Sequence, residues 1–173
     1  NSFGRYISPN NKSLVSIRFI NTRNGRASVA GPADYDGRAA VNLRGHSTLR
    51  QPKNSLTVRL KDENADNVKV SLFGLPKESD WVLYAPYADK TLMRDALAYE
   101  LSNEMGRYAP RTKFVEVYID RNGGRLADSD YFGVFVLVER IKFSKSRLNV
   151  EPVGPDDLQE PAIAGGYLFK RDH

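Results

Sequence analysis

Two apolar runs flank the segments Arg44-Gly45-His46-Ser47-Thr48 and Gln51-Pro52-Lys53-Asn54-Ser55. They bring together a guanidinium, an ammonium, a glycine that permits close backbone approach, and several hydroxyls. Such groups hold phosphate, with Arg as a two-pronged donor, Lys as a compact charge, and amides and hydroxyls around them. The same residues also suit a plainer role, a basic hairpin whose Ser and Thr satisfy their own turn. Charge converges on this stretch. Of 26 Lys and Arg, six lie between residues 38 and 61 (Arg38, Arg44, Arg50, Lys53, Arg59, Lys61), and that segment has no Asp or Glu. The other 20 basic residues face 21 acidic ones, so the net charge of +5 belongs to 24 residues. A solvated basic strand pair, a phosphate site and a general polyanion site all fit this distribution. Nucleic acid is not expected as a partner, because no RNP, zinc-finger or homeodomain pattern accompanies the charge.

Several other chemistries are excluded by composition. The chain has no cysteine, hence no disulfide framework, thiolate metal site or cysteine nucleophile, and its two histidines, His46 and His173, are too few for a multi-histidine zinc site. Gly45-His46-Ser47 opens like a hydrolase elbow, but Leu49 stands where the second glycine is needed and no second internal histidine offers a base. Asp62, Asn64 and Asp66 have the oxygen spacing of a calcium loop; Asn67 replaces its glycine and Phe73 its bidentate Glu. Neither the dinucleotide-binding nor the P-loop glycine pattern occurs. The most apolar stretch, Tyr131–Val138, is far short of the roughly 20 residues of a membrane span. The 173 residues are about one domain's worth, and 40% of them are hydrophobic, enough for a core. We expect a single domain over 1–173. Because the chain opens on Asn1 rather than Met, we also expect a processed, excised or partial polypeptide.

The elements that must position the loop are mostly strands. Leu14–Ile20 and Leu56–Leu60 alternate, Ala39–Leu43 is short and apolar, and Val68–Phe73 and Trp81–Tyr84 are further strand candidates. Phe114–Ile119 and Tyr131–Ile141 form a predicted hairpin around Asn122-Gly123-Gly124, the second of these apolar on both faces like a central strand. A last strand is expected at Gly166–Lys170. One strong helix is predicted from an Asp89 N-cap through Leu92, Ala96, Leu97, Leu101 and Met105 to a left-handed cap at Gly106. Strands in series broken by one helix predict an α+β fold with a mainly antiparallel sheet.

Four ordered blocks resemble the CotH kinases, a family of atypical, secreted-type protein kinases named for a spore-coat protein. They are Arg44–Thr48 with Pro52–Ser55; Ser79–Tyr84 running into Asp89–Arg94; Tyr131–Glu139; and Gly165–Leu168 ending at Asp172. Together they cover roughly residues 40–172. The resemblance implies a kinase-like amino-terminal lobe, ATP with a divalent metal (magnesium expected), and phosphate transfer to protein hydroxyls. It makes Lys53 the candidate for the nucleotide phosphates, with Arg44, Ser47 and Thr48 lining the same loop. Glu139 matches the family's acidic position, where it could pair with a lysine or face the nucleotide. Asp89 and Arg94 match the start of the helix and serve as supporting residues, with an N-cap and a structural fork as their plainer roles. A secreted or cell- or spore-surface protein is expected. His46 stands where the family commonly has Asn, and Asn54 where a second Lys is common. The family's later acidic blocks, to which metal and base roles belong, have no counterpart here. The expectation is therefore the nucleotide-grasping half of a kinase, with no catalytic residue identified and activity of the chain alone left open. The alternative is a non-catalytic secreted CotH-like binding or adhesion domain.

Overall fold

A computed structural model describes residues 7–22, 25–151 and 153–164. These fall into two compact units, residues 1–140 and 141–173. The first contains β1 (Ser13–Phe19), β2 (Tyr35–Arg44), β3 (Ser55–Lys61), β4 (Asp80–Tyr84), α1 (Arg94–Glu104), β5 (Thr112–Tyr118) and β6 (Tyr131–Glu139). The strands form one antiparallel sheet in the order β1-β2-β3-β4-β6-β5, the α+β architecture expected.

Successive side chains on a strand point to opposite faces, and here both faces of the sheet centre are covered. On one face Val41, Leu56, Val58, Trp81, Leu83, Phe135 and Leu137 form the main core. On the other, Val82, Val136 and Val138 pack with Ala96 of α1, flanked by Tyr84 and Tyr99. This explains the two-sided apolar character of β6, which lies between β4 and β5 and is buried from Phe135 to Glu139. β1, at the sheet edge, alternates as its sequence predicts, with Val15, Ile17 and Phe19 turned inward.

The helix departs from expectation at its start and on its face. It begins at Arg94 rather than near Asp89, because Leu92 takes a φ of +62° and interrupts the turn. Asp89 still supplies a cap across that interruption, its carboxylate accepting the Arg94 amide at 3.0 Å. The other end is as predicted: Gly106 takes a φ of +73°. Its amide donates to Asn103 and the Arg107 amide to Ser102, the paired bonds of a Schellman stop. The inward side is Ala96 and Tyr99, whereas Met93, Leu97, Leu101 and Met105 are exposed. Helical spacing alone does not say which apolar row meets the sheet. Val68–Phe73, expected as a strand, is no strand but an irregular crossing with one bridge, Val70 to Glu78. Its Phe73 amide is held by the Asp34 carboxylate at 2.7 Å.

In the second unit the described residues contain a Phe143–Leu148 bridge closed by the Ser144 amide on Leu148, an Asp157-capped turn at Gly154, and a short 3-10 turn at Ala162–Ala164. The strand expected at Gly166–Lys170, the block at Gly165–Leu168, Asp172 and His173 lie outside the described residues.

Candidate functional site

The loop joining β2 to β3 carries the first candidate block, and its sequence sets its shape. Gly45 adopts a φ of +132°, and a β-carbon there would lie 2.0 Å from Thr48 Oγ1, so the hydroxyl folds back over the glycine. A 3-10 turn, Ser47–Arg50, follows. Asn54 locks it from beneath: at 1% exposure, its amide nitrogen donates to the Thr48 and Gln51 carbonyls at 3.0 and 3.1 Å. Arg44, Ser47 and Thr48 are exposed.

Lys53 behaves differently from its loop neighbours. It is half-buried, its Nζ donates to the Val134 carbonyl of β6, and it lies 4.3 Å from the centre of the Phe135 ring. Burial lowers its pKa below the ordinary lysine value. Thus Arg44, Ser47, Thr48 and Lys53 share one end of the sheet, as the loop's compactness predicts.

Glu139 lies elsewhere. It ends β6 five residues beyond Val134, roughly 17 Å along an extended strand. Its side chain is fully buried, accepting Arg111 Nε and an Arg111 terminal nitrogen, each at 2.9 Å, and the Arg111 amide at 3.1 Å. The partner is an arginine that sequence reasoning did not single out; its only signal was a cation just before a strand pairing with β6. Nearby, Asp80 accepts Arg59 Nε at 2.6 Å and approaches Arg140 at 3.5 Å. Asp89 and Arg94 form a third, separate group. The Arg94 amide and the Thr91 hydroxyl hold the Asp89 carboxyl below its usual range, and the Arg94 guanidinium stands 3.6 Å from it, largely exposed.

The basic stretch 38–61 is not one surface. Arg38 pairs in register with Lys61 at one end of the β2–β3 ribbon, where both line a hollow of about 500 Å³, while Arg44 pairs with Ser55 at the other. Six residues of strand separate the ends, about 20 Å. A single polyanion site over the whole segment is therefore corrected to two clusters, of which the loop end holds Arg44, Arg50 and Lys53.

Among the described residues no three His, Asp or Glu side chains gather where they could hold a metal ion. The loop itself contains no acid. These residues do not supply the carboxylates a magnesium site draws from protein.

A family model described as CotH kinase protein matches residues 41–173. The chain belongs to the CotH kinase protein family. No curated protein and no solved structure matches it. The match begins within β2 and takes in the loop, Lys53, the Asp89 turn, α1 and β6, leaving β1 and the first part of β2 outside. Among the described residues no helix is long and apolar enough to cross a membrane.

Proposed function

We propose that this chain supplies the phosphate-grasping part of an ATP-dependent phosphotransferase of the CotH type. The observation that carries the reading is the β2–β3 loop, where a lysine whose contacts among the described residues are a carbonyl and an aromatic ring stands beside exposed Arg44, Ser47 and Thr48 in a chain of this family. In this reading Lys53 contacts the nucleotide phosphates, Arg44 adds a two-pronged donor, and the hydroxyls complete the cradle. Magnesium arrives with ATP rather than in a protein cage, and the acceptor is a protein hydroxyl. Asp89 and Arg94 support the site only by ordering the start of α1. Glu139, closed on Arg111, is assigned a structural role. A secreted or cell- or spore-surface location goes with this reading.

Thermal unfolding with and without ATP and magnesium, beside Lys53→Ala, tests it. A ligand that binds only the folded chain at a hundred times its dissociation constant stabilises it by about 2.7 kcal/mol. ATP is expected to raise the melting temperature of the original chain and not of the variant. An equal response from both removes Lys53 from the site.

A second reading, a CotH-like domain that binds a protein surface without catalysis, is favoured by one feature. Met93, Leu97, Leu101 and Met105 form an exposed apolar row along α1, as a docking helix would. It predicts no response to nucleotide in either protein.

A further inference from the structure

We propose that Gly133 is a positioning residue for Lys53: its missing side chain makes the seat in which the ammonium rests between the Val134 carbonyl and the Phe135 ring. The proposal deepens the phosphate-binding reading of Lys53 and rests on it for its functional meaning.

The seat follows from strand lengths. In an antiparallel ladder, alternate residues direct their backbone groups to the same neighbour. The Glu139 amide bonds Arg111 on the β5 side, so Val138, Val136 and Val134 face the β4 side. β4 ends at Tyr84, opposite Val136. Two residues earlier in β6, past the end of β4, the Val134 carbonyl therefore has no strand opposite it, and Lys53 takes that place. The chain is guided there by Ser55, whose hydroxyl accepts the Ala85 amide at 2.9 Å and ties the start of β3 to the end of β4.

Gly133 opens the space. The β5–β6 register slips beside it, from Val117 opposite Gly133 to Tyr118 opposite Tyr131, which leaves Phe132 as an extra residue. Gly133 adopts a φ of +112°, and a β-carbon built there would lie 3.3 Å from Lys53 Nζ and 3.7 Å from its Cε. A side chain at 133 would thus press on the ammonium, which would have to shift from its place. The ring of Phe135 offers its negative face from the same side of β6. Among the described residues the partners are a carbonyl and a ring, neither of which neutralises the ammonium, so its charge is left for an anion.

Proton–carbon NMR of lysine-labelled protein without nucleotide tests the seat, the Lys53 signal being assigned by its loss in Lys53→Arg. Seated over Phe135, the Lys53 ε-protons are expected upfield of those of exposed Lys12 and Lys77, and in Gly133→Ala they are expected to return to the position of those lysines. A Lys53 signal that overlaps Lys12 and Lys77 in the original chain overturns the proposal, as does an unmoved upfield signal in folded Gly133→Ala. Should the strained Ala variant not fold, the original chain's spectrum and Phe135→Leu, which must abolish the upfield displacement, decide the matter. The functional arm is a double-mutant cycle on the ATP-induced rise in melting temperature. Gly133→Ala should diminish that rise in the original background and change nothing further beside Lys53→Ala. A chain that ignores ATP altogether defeats the phosphate reading and leaves the spectral result standing by itself.

Discussion

The two ends of the central strands treat charge in opposite ways. At the loop end, Lys53 rests on a carbonyl and an aromatic ring. At the far end, cations and carboxylates close on one another, Arg111 on a fully buried Glu139 and Arg59 on Asp80. An ion pair whose acid is out of water is an expensive arrangement that becomes far worse if one partner is lost. A cation on neutral partners keeps its charge available to an incoming anion. The difference gives one end of the sheet closed ion pairs and leaves the other with the charge that the proposed phosphate site needs, although both ends carry residues of the family's blocks.

The strongest way to break that comparison is to open the closed end. Arg111→Ala leaves the Glu139 carboxylate buried without its guanidinium, and we expect a loss of about 3 kcal/mol in denaturant unfolding. A loss under about 1 kcal/mol, within the range of exposed pairs, would show that the far end is no more committed than the loop. Next comes the lock beneath the loop. Asn54→Ala strips the Thr48 and Gln51 carbonyls of their buried donor and should cost about 1–3 kcal/mol by the same measurement. Unchanged stability would mean that the loop does not depend on it.

Lys53 sharpens the contrast through pH. Its folded pKa lies below its unfolded one, so between the two values the unfolded chain holds more protons and stability rises with pH. Unfolding followed from neutral pH to about 10.5, the ordinary lysine value, should show that rise, and Lys53→Met should lack it. Identical curves would remove the effect of burial from Lys53. The smallest effect is expected at Asp89. Its carboxyl is held low by the Arg94 amide and the Thr91 hydroxyl. Its contribution is therefore present above the unfolded carboxyl value of about 4 and lost as pH falls through the lowered folded value. Asp89→Ala should fray α1, lowering helicity by circular dichroism at pH 7, and the two proteins should converge in acid. A difference that persists in acid would assign the cap to something other than the carboxylate.

Much of this was legible in the chain. Alternation at 14–20 and 56–60 reports β1 and β3 because a half-buried strand must alternate, and an unbroken apolar run reports β6 because both of its faces are covered. The loop's basic and hydroxyl groups are adjacent in sequence, so their meeting needed no tertiary information. Gly133 could have been suspected, since an isolated glycine within a strand marks a bulge or a close approach. Asp89 as a cap was legible too, although the turn at Leu92 that displaces the helix start was not.

The features encoded locally in the chain were strand periodicity, the turn chemistry of Gly45 and Gly106, the basic loop and the family blocks. Which of two apolar rows of α1 meets the sheet was decided by the shape of the surface offered by Val82, Val136 and Val138. The separation of Arg38 and Lys61 from Arg44 was set by strand register. The pairing of Glu139 with Arg111, and of Lys53 with a carbonyl 81 residues away, depended on sheet order and on where β4 stops. Those contacts join residues far apart in the chain, and no local propensity encodes them, because their energies exist only once the sheet has brought the partners within reach.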